Sequence, residues 1–313
     1  MKKFYLLTFL IVFQLRAQQE SYLSLLNYQM PLVNPAYAGA EVDHLFSIHS
    51  RNQWANIENS PRTLSMVYSV ANSKNVGLGI SVIADELFIE KQTLVSLDFS
   101  YKLKLNDQAH LFLGLKGNIN SFRADTSELI AHASEVDPSQ KDLSRLMPNF
   151  GVGFLFKHDK YWIAASSPKL FKSKRDAEIN LLAQDRLHYY LSGGTQFKIN
   201  DEIALEPQFL IRGTRGLNSV VEGILWGNYR DKFRLGIGLR TAAVRSFKFN
   251  FNLNKTLALA YAYDVYANGA LAGMQLNAHE IGLRISLTSK KEGDTLKEIP
   301  VDPEYTEKWV PDK

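Results

Sequence analysis

The sequence contains no cysteine in 313 residues. That excludes disulfides, thiol nucleophiles, cysteine-ligated metals and the lipidated cysteine of a lipoprotein. It also lacks the long uncharged apolar stretch, about 20 residues, that a membrane-spanning helix needs. Its seven histidines, at 44, 49, 110, 132, 158, 188 and 279, show no metal-ligand spacing. No Gly-x-Ser-x-Gly elbow or comparable catalytic constellation stands out, so no catalytic residue, metal or cofactor is expected and the chain is read as a non-enzyme. Surplus charge is lacking too: setting aside Lys2, Lys3 and Arg16 takes the formal charge from +4 to +1. Without a cluster of arginines on one element, nucleic acid is a poor candidate partner.

Those three cations belong to a segment that reads as an export signal. Lys2 and Lys3 form a basic start, Phe4 to Phe13 an apolar stretch, and Ala17 closes a plausible cleavage site. Residues 1–17 are therefore expected to be removed, leaving the mature protein outside the cytoplasm.

From about His44 onward apolar and polar residues alternate with period two. Val95, Leu97, Phe99, Tyr101, Leu103 and Leu105, with Ser96, Asp98, Ser100, Lys102 and Lys104 between them, make one greasy and one polar face along a whole strand. Similar segments fall near 44–51, 62–70, 76–84, 92–105, 110–123, 147–157, 161–168, 187–197, 203–212, 219–229, 233–241, 246–253, 257–267 and 278–287. About fourteen long strands without a long apolar helix predict an all-β fold, a transmembrane antiparallel β-barrel, because backbone groups in lipid must find partners within the protein.

Connection lengths support a barrel. Every second link is short and rich in Asn, Asp and Lys, among them Asn106 to Ala109, Lys157 to Lys160 and Asn254 to Thr256. The alternate set holds the long linkers 124–146 and 169–186, with the link near 242–245 as an exception. Short periplasmic turns and long external loops are the habit of outer-membrane barrels. Residues 18–43 are expected to form an amino-terminal periplasmic segment or plug, with a short helix around Tyr22 to Met30 broken by Pro31 and Pro35. Residues 44–287 form the barrel and 288–313 a periplasmic tail. Glycine pairs at 77/79, 151/153 and 236/238 read as small inward residues that ease curvature. Tyr189, Tyr190, Trp162, Trp226, Tyr261 and Tyr263 are candidates for aromatic girdles. The basic stretch Lys169, Lys172, Lys174 and Arg175 is placed in an external loop.

The most specific residues lie near the start. Asn34-Pro35-Ala36-Tyr37-Ala38-Gly39 is followed by Arg51-Asn52-Gln53-Trp54 and then Ser60-Pro61-Arg62-Thr63. In that order, behind Gln18 and Tyr22, they resemble the PorP/SprF family, outer-membrane proteins of type IX secretion in Bacteroidetes. The resemblance implies a barrel in the outer membrane that assists secretion or surface anchoring of a cognate adhesin-like protein, in protein export, gliding motility or adhesion. The partners it implies are outer-membrane lipid, the secreted surface protein, and translocon or periplasmic subunits of the secretion system. Asn34, Pro35, Ala36, Tyr37, Gly39, Arg51, Gln53, Trp54 and Pro61 are the motif residues, structural or partner-binding. On the residues alone, Asn34-Pro35 favours a turn into the first strand. Arg51 continues the inward phase of its strand, where it would meet a lumenal carboxylate or hold the amino-terminal segment. The alternative function is a porin or substrate-specific transport channel.

Overall fold

The computed structural model describes residues 22–288 except 55–56, 73, 126–142, 172, 175–183, 186, 217, 242–243 and 267–276. The export segment 1–17, residues 18–21, most of the long linkers and the tail from 289 on lie outside the described residues.

Fourteen long strands form one antiparallel meander. They are β1 (His44–Gln53), β2 (Arg62–Ala71), β3 (Val76–Leu87), β4 (Glu90–Lys104), β5 (Ala109–Ala124), β6 (Leu143–His158), β7 (Tyr161–Lys169), β8 (His188–Thr195), β9 (Ile203–Thr214), β10 (Val220–Tyr229), β11 (Phe233–Arg240), β12 (Val244–Asn252), β13 (Leu257–Tyr266) and β14 (Asn277–Leu287). Each pairs with its neighbours in sequence, and β1 also pairs with β14, His44 opposite Leu287 and Gln53 opposite Ala278, which closes the barrel. Beyond Gln196, β8 resumes as Phe197–Lys198 against β9. A two-residue pair, Ser173–Lys174 with Gln184–Asp185, lies apart from the barrel sheet.

The alternation is inside out relative to a water-soluble core. In β4 Leu97 is 62% exposed and its neighbour Ser96 2% exposed. Apolar side chains thus project outward all round, while Ser, Asn, Asp, Glu, Lys and Arg line the interior. That outer surface is stable only against hydrocarbon, since water would leave a contiguous apolar band unburied. Leu97 stands midway along the fifteen residues of β4. Leu97→Arg should therefore cost about 2–4 kcal/mol, the penalty of a cation at mid-membrane depth. The expected result is a fall in the folded, heat-modifiable fraction recovered from outer membranes, whereas Leu97→Phe should leave it unchanged.

All links at one end are short, as at 159–160, 230–232 and 253–256. The other end carries the long linkers, but also a two-residue turn, Phe88–Ile89, between β3 and β4. Both strands run further than their hydropathy suggests, since Phe88 takes a left-handed backbone, φ 52°, that turns the chain tightly.

Three girdle candidates point inward instead. Tyr190 and Trp226 are buried, and Trp162 packs edge-on to Tyr37 with ring centroids 6.2 Å apart. Strict alternation explains this: once Tyr189 faces outward, Tyr190 must face in. Lys169 is likewise buried at the end of β7 and not displayed on a loop.

Candidate functional site

The lumen holds the chain's own amino-terminal segment. Residues 22–41 bond to inward side chains on opposite walls of the barrel, which only a segment threaded through its interior can do. There is no α-helix at Tyr22 to Met30. Three short 3-10 turns take its place, Leu26–Tyr28, Met30–Leu32 and Pro35–Tyr37. Pro31 and Pro35 each remove an amide donor that a continuous helix would use. Asn34 caps the third turn, accepting from Ala36 N at 3.0 Å while its amide donates to the Phe154 carbonyl, also at 3.0 Å.

The segment has a direction. Tyr22 and Ser24 lie at the long-linker end, and Glu41 reaches Arg284 near the short-turn end. The segment packs Leu25, Leu26, Tyr28, Met30, Leu32 and Tyr37 against Trp226, Phe112, Leu155, Tyr190 and other inward wall residues.

At the long-linker end a charged layer grips it. Arg51 donates to Asp264 at 2.8 Å and to Glu280 at 3.4 Å. Ser24 is the hub: its hydroxyl donates to Asp264 at 2.6 Å and accepts from Arg51 at 3.2 Å and from Arg240 at 3.1 Å. Glu280 also receives the backbone amides of Ser24, at 2.7 Å, and Leu25, at 3.2 Å. The guanidinium of Arg240 lies 3.4 Å from the centroid of the Tyr22 ring, and the Tyr22 hydroxyl donates to Glu222 at 2.5 Å. Lys248 completes the layer on Glu222 at 2.9 Å. Three cations thus meet three carboxylates. Tyr22 is thus held at both ends of its side chain, its ring against Arg240 and its hydroxyl on Glu222. Deeper in, Gln29 donates to the Ser47 carbonyl at 3.2 Å and Lys116 bridges Asp98 at 2.7 Å and the Pro31 carbonyl at 2.9 Å.

The Asn34–Gly39 motif rests on a glycine platform. Gly114 of β5 and Gly153 of β6 are register partners. A β-carbon on Gly114 would overlap Ala36 N, and one on Gly153 would overlap the Asn34 side chain. At Gly77 it would overlap the Ala38 carbonyl, which accepts from Ser100 at 2.5 Å. These glycines therefore make room for the threaded backbone, a reason more specific than curvature; Gly236 similarly accommodates the Trp226 ring. Gly39, at φ 65°, turns the chain toward β1. Gly114→Val should cost about 1–3 kcal/mol through overpacking, read as a lower Tm of the detergent-solubilised barrel. Gly117→Val supplies the control, since nothing lies within 4 Å of that position.

The other motif residues sit where β1 leaves the barrel wall. The Gln53 side chain accepts from Arg51 at 3.3 Å, and the Gln53 backbone amide donates to the Pro61 carbonyl at 3.0 Å. Trp54 adopts a left-handed backbone, φ 54°, with its amide on Asn277 O at 2.8 Å. The structure thus brings Arg51 to the amino-terminal segment near Ser24, while Asn34–Gly39 contacts the wall further toward the short turns. The sequence reading missed Asp264, Glu280, Glu222, Arg240, Lys248, Lys116 and Asp98. The available signal was a charge in the inward phase of a long strand, which demands a partner.

Residues 15–285 match the family model described as type IX secretion system membrane protein PorP/SprF. The chain belongs to the PorP/SprF family. Among solved structures, this PorP/SprF protein is similar in fold to the P. putida toluene transporter TodX, with 8% identity over 83% of this chain and 94% of that one, TM-score 0.51. It is likewise similar to the CymD monoaromatic hydrocarbon channel, with 11% identity over 84% and 94% of the two chains, TM-score 0.51. At such identities the likeness concerns the barrel fold alone. No curated protein matches the sequence. As a PorP/SprF barrel the protein belongs in the outer membrane, and membership implies association with components of that secretion system.

Proposed function

We propose that this PorP/SprF barrel is a non-catalytic accessory of type IX secretion that holds or hands over a cognate secreted protein at the cell surface. The observation that carries this reading is the filled lumen: an ion-paired, glycine-seated thread occupies the path that a diffusion channel would need. Residues 1–17 are removed on export in this reading, the short turns face the periplasm, and the long linkers face outward to meet cargo. The motif Asn34–Gly39 and Arg51 then act by holding the thread, while Trp54 and Pro61 shape the outward rim near the cargo.

The test is purification of a tagged copy from outer membranes in gentle detergent, with mass spectrometry of what accompanies it. A large secreted protein or translocon subunits are expected. A solitary barrel whose deletion leaves the surface proteome unchanged would overturn the reading.

A further inference from the structure

At the short-turn end the interior opens into a vestibule of about 850 Å³. Its floor includes Tyr28 and Met30 of the threaded segment with Leu155 and Trp162 of the wall, and its rim is formed by the turns at 230–232 and 253–256. Lys157, Arg230, Lys232, Arg234, Lys255 and Arg284 line it, against the carboxylates of Glu41 and Asp231. Arg284 is matched by Glu41 at 2.5 Å, Arg230 by Glu202 and Arg234 by Glu206. Lys157 gives its ammonium to the Ala40 carbonyl at 3.2 Å, and Lys232 lies over the Phe233 and Phe251 rings. With Glu202 and Glu206 included, six cations face four carboxylates, leaving a positive surplus of two.

The last strand delivers the chain to this rim. Ser286 lines the vestibule, and β14 ends one residue later at Leu287, beside His44. Beyond it, Glu292 to Glu307 carries six carboxylates, Glu292, Asp294, Glu298, Asp302, Glu304 and Glu307, against the single Lys297. The four residue steps from Thr288 to Glu292 span at most about 13 Å, so the acidic stretch begins within reach of the opening.

We propose that the acidic stretch 292–307 of this same chain docks in the basic vestibule. Two effects act together. Opposite charges meet where few salt ions intervene, within a Debye length of about 8–10 Å. The tether also holds the stretch at an effective concentration on the order of millimolar, so weak contacts suffice. The vestibule and the tail carry this complementary charge whichever cargo the barrel serves.

The absence of native cysteine makes the test clean. Thr256→Cys at the rim is combined with Asp302→Cys in the full-length protein, purified in detergent and oxidised mildly. An intramolecular disulfide is expected, and it should diminish in 0.5 M salt and when Lys157, Lys232 and Lys255 are changed to Gln. In the single variant Thr256→Cys, removing residues 292–313 should speed labelling by an anionic maleimide by roughly three-fold or more, as expected for loss of a tethered occupant. Equal labelling with and without the tail, together with no crosslink, overturns the proposal. A crosslink found only between two chains also overturns it, in favour of a second copy as occupant.

Discussion

Deleting residues 22–38 should convert a silent barrel into a conducting one. The strand ladder and the lipid-facing surface do not depend on those residues, because each strand is paired by its neighbours through to the β1–β14 closure. What the deletion removes is the apolar filling, including Leu25, Leu26, Tyr28 and Leu32, and the hydrogen bonds of Ser24. Water then enters and solvates Arg51, Asp264, Glu280 and Glu222, so their desolvation cost disappears with the partners they lose. In planar bilayers the intact chain is expected to show no steady current and the deletion variant long-lived openings. A folded, inserted deletion variant that stays silent would refute the filled-lumen account; steady conductance by the intact chain would favour the channel reading.

The second large effect is expected at Arg51. Arg51→Met leaves Asp264 and Glu280 buried with one cation fewer, and breaking a buried pair in this way costs about 3–5 kcal/mol. Urea unfolding of the barrel in micelles or vesicles would measure it. Asp264→Asn and Glu280→Gln added to Arg51→Met should restore part of the loss, because neutral amides do not demand the missing charge. Arg51→Lys should recover less than the wild-type value, since an ammonium cannot fork between two carboxylates as a guanidinium does. If Arg51→Met unfolds with the parent, the layer around Ser24 does not hold the barrel together.

Much of this molecule is determined by local pattern. Period-two alternation in segments such as 95–105 specifies strands, and their length together with the parity of the links specifies a membrane barrel. Both are properties of neighbouring residues, so they survive reading one segment at a time. The ordered motifs Asn34–Gly39, Arg51–Trp54 and Ser60–Thr63 carried the family. Short boundaries were less legible: β3 and β4 run on through polar residues because pairing with a partner, not hydropathy, keeps them extended.

The interior is a different matter. Arg51 meets Asp264 across 213 residues and Tyr22 meets Glu222 across 200. β1 lies beside β14 only because the barrel closes, and Tyr22 reaches Glu222 only because its segment runs inside the lumen, so register and closure choose these partners and local pattern does not. The course of residues 22–41 was undecided for the same reason: its apolar residues have no single face, because walls surround them on all sides. That Gly114 and Gly153 should lie side by side beneath Asn34-Pro35-Ala36 follows from the pairing of β5 with β6, thirty-nine residues apart. The sequence by itself determined that the chain makes strands, which of their faces is greasy and where the turns fall. Only the tertiary structure decided what fills the barrel, in which direction it runs and which charges hold it, because those contacts exist only after the sheet has closed.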